Sequence, residues 1–436
     1  MTIVLLSGGS GKRLWPLSND MLSKQFLKLL HNERGESESM VQRVARQIGE
    51  AHKNVNLFVS CNFAQNDILK KQLGNVETIL EPARRDTFPA ICLAAAYLHY
   101  EQKLDEQATF VVCPIDVFAQ EKYFQLLADT DALVSQTGYN IGLMGTVPTY
   151  PSSKYGYIRY ETTKVLGFVE KPTEKAAEKL ITEGALWNCG VFALKIGYIL
   201  DCARKYADFD GYETLYKNYE KLPKISFDYE VVEKAPSVGV VTYDGVWKDL
   251  GTWNTLTDEI SQQTIGNVLI SETCENTHVI NTLNIPVIVQ GIADSVVIAS
   301  YDGILVSNKY ETSFLKPLAD QISMRPMYQQ ESWGDYRILD YKPEKTASSL
   351  IRRIRIDAGK ELKSQFHLNR NEVWVVLTGK GILTLNGTDS VVAAGSVVQV
   401  PQKAKHSLIA ATAMELIEIQ LGSGELEEDG YLRQPL

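Results

Sequence analysis

The chain has no run of about 18 apolar residues, the length that crosses a bilayer, and no basic segment leading into an uninterrupted apolar stretch at its start. Neither a membrane span nor a signal peptide is therefore expected. It also lacks any CxxC pair: Cys61, Cys92, Cys113, Cys189, Cys202 and Cys274 are scattered, several inside apolar runs such as AICLAAAYL. They read as buried reduced thiols, which predicts a cytoplasmic protein. Nor is there an excess of positive charge. With 44 Lys and Arg against 53 Asp and Glu, the net charge is -9, and such a balance excludes a generic nucleic-acid surface. Any phosphate ligand must meet local cations instead.

What is present is an ordinary globular composition, 44% hydrophobic and 22% charged, spread over 436 residues, too many for one core. Over the first 110 or so residues, strand-like runs (TIVLLS, NVNLFVS, ATFVVCPID) alternate with helix-like ones such as AICLAAAYLHYEQKL, as in an α/β domain with a mainly parallel mixed sheet. The strand IGLMGTV, a loop PTYPSSKYGYIRY, the strand VLGFVEKP and the helix EKAAEKLITEG follow. From about residue 263 the texture changes to short β-branched strands (NVLISET, HVINT, PVIVQG, SVVIAS, GILVSN), a small all-β segment or coil, ending in a polar helical connector, YETSFLKPLADQIS. The last hundred residues hold only strands and read as a barrel or jelly roll. The expected divisions are 1–262, 263–328 and 329–436.

The stretch SGGSGKRLWPLS, Ser7 to Ser18, joins glycines to cations at the end of a strand, a sensible place for backbone N–H groups to meet phosphate. It is not a Walker loop, because Leu6 stands where glycine is required, and not a dinucleotide fingerprint, because Leu14 does. Lys12, Arg13 and Lys24 around this loop suit a triphosphate.

GGSGKRLWPLS followed by SKQFLKL resembles the signature of sugar-1-phosphate nucleotidyltransferases, specifically the mannose-1-phosphate guanylyltransferases. EPARRDTFPAI from Glu81, CPID ending at Asp116, VPTYPSSKYGYIR, FVEKP, LWNCGVF and WKDLGTW follow in family order. The resemblance implies a Rossmann-like, GT-A-like domain in which the phosphate of mannose 1-phosphate attacks the α-phosphorus of GTP and pyrophosphate leaves. That chemistry needs orientation and charge neutralisation rather than a covalent intermediate. It further implies that Ser7, Gly8, Gly9, Gly11, Lys12, Glu81, Arg85 and Asp116 meet the nucleotide, with Arg13 and Lys24 on its phosphates. Lys171 would hold the sugar phosphate, Glu170 and Asn188 the sugar hydroxyls, and Gly156 would leave room. Asp116 and Asp249 would share Mg²⁺. Departures are Lys12 in a threonine position, Ser7 for alanine, Asp86 for asparagine and Val117 for histidine; Asp86 leaves the base preference open. A different nucleotide or sugar, or a regulatory subunit that only binds sugar nucleotides, are the alternatives.

In the last segment, Gln365 and His367 are expected on one face of a strand, with Glu372 and His406 reaching the same point, a donor set that suits a divalent metal such as Zn, Mn or Co. QFHLNRNEVW, WGDYRILD and LIEIQLGS are similar to the cupin of type II phosphomannose isomerases, which implies fructose 6-phosphate and mannose 6-phosphate as its ligands. Leu368, Asn369 and Val373 replace the family's histidines, so a cupin that holds a metal without isomerising stands beside that expectation. Arg370 is kept and suits phosphate. The expected partners are small molecules only, and a homodimer is the expected assembly.

Overall fold

A strand buried on both faces must be apolar throughout, and TIVLL meets that demand: Thr2–Leu6 lies inside the largest sheet, with Ile3, Val4 and Leu5 fully buried. The structure, a computed structural model, describes residues 1–8, 12–19, 22–344 and 347–423. Gly9 and Gly11 lie outside the described residues. The nine strands of the sheet run in the order Glu77–Glu81, Asn56–Asn62, Thr2–Leu6, Thr109–Pro114, Leu186–Lys195, Ile141–Thr146, Val238–Tyr243, Lys164–Val169, Tyr157–Glu161. The first four are mutually parallel. Leu186–Lys195 is antiparallel to both its neighbours, and the last two strands form an antiparallel hairpin. That hairpin includes Tyr157–Glu161, which the sequence placed in a loop; Tyr157 and Ile158 are buried against the sheet, and burial overrides the polar, glycine-containing flank.

Side-chain alternation sends Ile3, Leu5, Val111 and Cys113 into one core and Val4, Phe110 and Val112 into a second on the opposite face. The helix Thr87–Tyr100 fills the second. Ten of its fourteen residues are buried, so it reads as apolar all round rather than amphipathic. All six cysteines are free and buried in the structure.

The short strands from residue 264 form a coil. Thr264 lies beside Val279 and Val279 beside Val297 in one parallel face, while Val268–Ile270 pairs in parallel with Val287–Val289 in another. Cys274, Val279, Val289 and Val297 fill the coil's interior, whereas Ile280, Val296, Ile298 and Leu305 join the first core of the α/β sheet. The coil is thus welded to the amino-terminal half. Ser300 Oγ donates to the Pro16 carbonyl at 2.9 Å.

Beyond the connector, a six-stranded and a four-stranded antiparallel sheet enclose Ile354, Trp374, Leu408 and Leu416. No helix occurs there among the described residues. Lys71 ties this barrel to the first half, 3.1 Å from both Asp357 and the Gly334 carbonyl. No helix among the described residues is long and apolar enough to cross a membrane.

Candidate active site and candidate metal centre

In an open α/β sheet, ligands bind at the carboxyl ends of strands where the chain diverges to opposite sides. Thr2–Leu6 and Thr109–Pro114 are such neighbours, and a cleft of about 740 Å³ opens at their ends. Gly8, Glu81, Arg85, Asp116, Gly156, Glu170, Lys171, Asn188 and Asp249 all line it.

The two aspartates meet through a small antiparallel ribbon. Val117–Ala119 pairs with Trp247–Asp249 so that Val117 faces Asp249, and Leu250 N–H donates to the Asp116 carbonyl at 2.9 Å. Lys24 Nζ lies 2.6 Å from Asp116 Oδ2 and 4.0 Å from Asp249 Oδ1. Burial works against the Lys24 ammonium, but the charges of Asp116 and Asp249 and the hydrogen bond to Asp116 outweigh it and raise its pKa. Asp116 moves the opposite way: burial raises it, and Lys24 brings it below the usual carboxylate range. Asp249 stays raised, chiefly by burial. Arg13, exposed on the loop, acts electrostatically on all three. Asp249 Oδ1 is buried with no hydrogen-bond donor, and a buried carboxylate oxygen without a donor calls for a cation. The oxygen donor set of Asp116 and Asp249 therefore fits Mg²⁺.

Further along the cleft, Lys171 has φ of +46°, a costly conformation for a side-chain-bearing residue, and points its ammonium 2.9 Å from Glu170 Oε1 and over the Tyr229 ring. A Cβ on Gly156 would lie 2.6 Å from Glu170 Oε2, so only glycine leaves that carboxylate in place. Asn188 N–H donates to the Gly156 carbonyl at 2.8 Å, and its side-chain amide to Asp228 Oδ1 at 2.8 Å. Asp228 was not legible in the sequence. It sits in a four-residue helix, Phe227–Glu230, that the Thr87 hydroxyl anchors through Phe227 N–H, and no local pattern in SFDYE announces it. Burial, with Glu170 nearby, pushes its pKa up to about 7. Tyr155, Trp187 and Trp247 pack edge to face beneath this end, with Tyr155 about 5 Å from each indole.

Four residues expected at the nucleotide have protein partners in the structure. Ser7 is buried, and its hydroxyl and carbonyl accept from Gln25 Nε2, which bolts the Lys24 turn to the first strand. Glu81 lines the cleft but accepts from Ser60 Oγ at 3.2 Å and Tyr219 OH at 3.0 Å. Lys12 turns toward the connector, 3.5 Å from Asp320. Arg85 faces the cleft while its Nε donates to the Leu222 carbonyl.

The barrel brings His367, Glu372 and His406 together, with ligating atoms all within 4.8 Å of one another and all three residues buried. His367 is not on the strand with Gln365, as its spacing suggested: the strand Glu361–Gln365 ends there, and Lys403 N–H, donating to the His367 carbonyl at 2.7 Å, folds the next residues inward. His406 Nδ1 lies 3.0 Å from the Ala404 carbonyl, an acceptor only, so Nδ1 carries a proton and Nε2 turns inward, 3.5 Å from Glu372 Oε2 and 3.3 Å from the Gln365 amide. Acceptors that converge in this way fit a divalent metal. Arg370 Nε also donates to Glu372 Oε1 at 2.9 Å and Trp374 Nε1 to Oε2 at 3.1 Å. Burial raises the Glu372 carboxyl, but the His367 and His406 rings beside it and the charge of Arg370 prevail and hold it far below the usual range.

A switch-point cleft with two aspartates, a glycine-led loop and cations at both ends defines a phosphate-handling α/β enzyme. A family profile described as "Nucleotidyl transferase" matches residues 2–265, and one described as "Mannose-6-phosphate isomerase C-terminal" matches residues 322–434. The chain belongs to the nucleotidyl transferase family and carries a mannose-6-phosphate isomerase-type cupin domain after it. Mannose-1-phosphate guanylyltransferase of Escherichia coli (strain K12) is 28% identical, with 99% of this chain and 97% of that protein covered. Mannose-1-phosphate guanylyltransferase ManC of Salmonella typhimurium (strain LT2) is also 28% identical, over 99% of this chain and 96% of its own. A crystal structure described as a mannose-1-phosphate geranyltransferase from Thermus thermophilus matches 74% of this chain and 99% of that one, with a TM-score of 0.59 at 25% identity.

Proposed function

We propose that the cleft makes GDP-mannose and pyrophosphate from GTP and mannose 1-phosphate. The observation that carries this reading is that one cleft holds two lysine–carboxylate clusters, Lys24 with Asp116 and Asp249, and Lys171 with Glu170 beside Asn188 and Asp228. The full-length likeness to guanylyltransferases supports the choice of base and sugar.

In this reading Gly8, Gly9 and Gly11 lie along the nucleotide, and Arg13 and Lys24 neutralise the departing pyrophosphate. Lys171 grips the phosphate of the sugar, aimed by its φ and by Glu170. Glu170, Asn188 and Asp228 accept from and donate to sugar hydroxyls, so the attacking phosphate oxygen stands in line with the α-phosphorus. Asp116 and Asp249 would hold Mg²⁺, which would supply positive charge for the triphosphate. Ser7 and Glu81 act through the positions of Gln25 and Tyr219, and Lys12 through the connector. Residues 1–262 form the catalytic unit, 263–328 its brace, and 329–436 the cupin. The six buried thiols favour a reducing compartment, the cytoplasm.

Pyrophosphate release with mannose 1-phosphate and each nucleoside triphosphate in turn tests the choice. GTP is expected to turn over fastest, and equal or faster turnover with another nucleotide would reject it.

For the cupin, the buried His367, Glu372 and His406 favour a metal-bound isomerase pocket for mannose 6-phosphate and fructose 6-phosphate, with Gln365 as a fourth donor and Zn, Mn or Co as candidate metals. Ile304 and Val306, exposed on the edge strand Gly303–Asn308 of the coil, favour a homodimer through that strand. A monomer by sedimentation at micromolar concentration would refute that assembly.

A further inference from the structure

The ammonium of Lys24 and a divalent cation require the same oxygens. Lys24 Nζ already stands 2.6 Å from Asp116 Oδ2 and reaches toward Asp249 Oδ1 at 4.0 Å. A Mg²⁺ ion bound about 2.1 Å from Asp116 Oδ2 would lie within roughly 4.7 Å of that ammonium, too close for three positive charges in a partly desolvated site.

We propose that Lys24 is an internal competitor for the metal: it holds Asp116 and Asp249 together until the phosphates of a nucleoside triphosphate draw its ammonium away and open the carboxylates to the divalent cation. The inference rests on the proposed nucleotidyl transfer and adds an order of assembly to it.

Two features make the exchange physically workable. The backbone under Lys24 is fixed, because the neighbouring Gln25 side chain is locked to the Ser7 carbonyl and hydroxyl at 2.7 and 3.1 Å. Only the four-carbon stem has to swing, and lysine carries its charge as a mobile point rather than a rigid fork. Arg13 repels the Lys24 ammonium and is exposed on the signature loop, so a triphosphate arriving there meets both cations together. Two aspartates offer Lys24 two negative charges, both of which act on Arg13 as well; a triphosphate offers more. Asp249 Oδ1, which has no hydrogen-bond donor, is then the oxygen that gains most from the incoming metal.

Mn²⁺ binding to the full chain without nucleotide, followed by the electron paramagnetic resonance of the free ion, tests the exchange without turnover. Asp249→Asn identifies which bound Mn²⁺ belongs to this cleft rather than to the cupin. Lys24→Met, with Lys24→Gln as the isosteric control for folding, is expected to bind Mn²⁺ at the Asp249-dependent site at least about tenfold more tightly than the native chain, because one local positive charge is gone. Equal or weaker binding in both folded variants would overturn the competition. Since no substrate is consumed, a wrong assignment of GTP or mannose would show in turnover assays and leave this measurement intact.

Discussion

The two pockets of this chain solve the same electrostatic problem in opposite ways. At the cleft, Asp116 and Asp249 keep about a third of their side-chain surface open and are balanced by one lysine on a flexible stem. In the barrel, Glu372 has no exposed surface at all and is held by Arg370, Trp374, His367 and His406 together. On the neighbouring strand, Glu418 is equally buried and paired with Arg352, while the Gln420 amide donates to it at 3.0 Å. The open arrangement suits a site that must admit and release a polyanion in every cycle. The closed one suits a fixed donor set, in which loss of any one member strands the others.

This contrast predicts different failures. Asp249→Ala is expected to lower kcat for pyrophosphate release by a factor on the order of 10³, comparable to removing a preorganised charge from a transition state, while the thermal midpoint barely moves. A similar rate with a large loss of stability would reverse the roles assigned to the two pockets. Glu372→Ala is expected to do the converse, costing about 3 to 5 kcal/mol in urea unfolding because Arg370 is left buried without its carboxylate. A cost under 1 kcal/mol would mean that Arg370 finds water.

Asp228 sharpens the comparison through pH. Its native pKa of about 7 lies above the ordinary 3.8, so between about pH 4 and pH 7 the folded chain keeps a proton that the unfolded chain has lost. Stability from this group is therefore lost as pH rises through that window, at no more than about 1.4 kcal/mol per pH unit, and Asp228→Asn should flatten the slope of urea-derived stability against pH. An unchanged slope would contradict the shift. The smallest effect is expected for Lys12→Thr. Its ion pair with Asp320 is partly exposed, and such pairs contribute about 0.2 to 1 kcal/mol, so the thermal midpoint should move by only a few degrees at most.

The ordered motifs made much of the cleft legible: Asp116 at the end of an apolar strand, Lys171 and Glu170 after another, and Gly156 where only a glycine fits. What the sequence hid were partners set by tertiary contact. The sequence does not show that Tyr219, far along the chain, donates to Glu81. Nor does it show that the connector brings Asp320 beside Lys12. Asp228 belongs to a single helical turn too short to produce a periodic signal. In the barrel, residue spacing put His367 on a strand that in fact ends at Gln365, because alternation says nothing about where a ladder stops. The short strands after residue 264 read as a small all-β segment or coil, and the parallel pairing of Val279 with Thr264 and Val297 decides for the coil.

The central claim is that nucleotidyl transfer belongs to the cleft and does not pass through the barrel. Pyrophosphate release from GTP and mannose 1-phosphate by folded Glu372→Gln, measured beside Asp249→Ala, tests it most directly. The account predicts native rates within about twofold for the first, since its carboxamide lies outside the cleft, and near-complete loss for the second. Loss of transfer in Glu372→Gln, or its survival in Asp249→Ala, would contradict it.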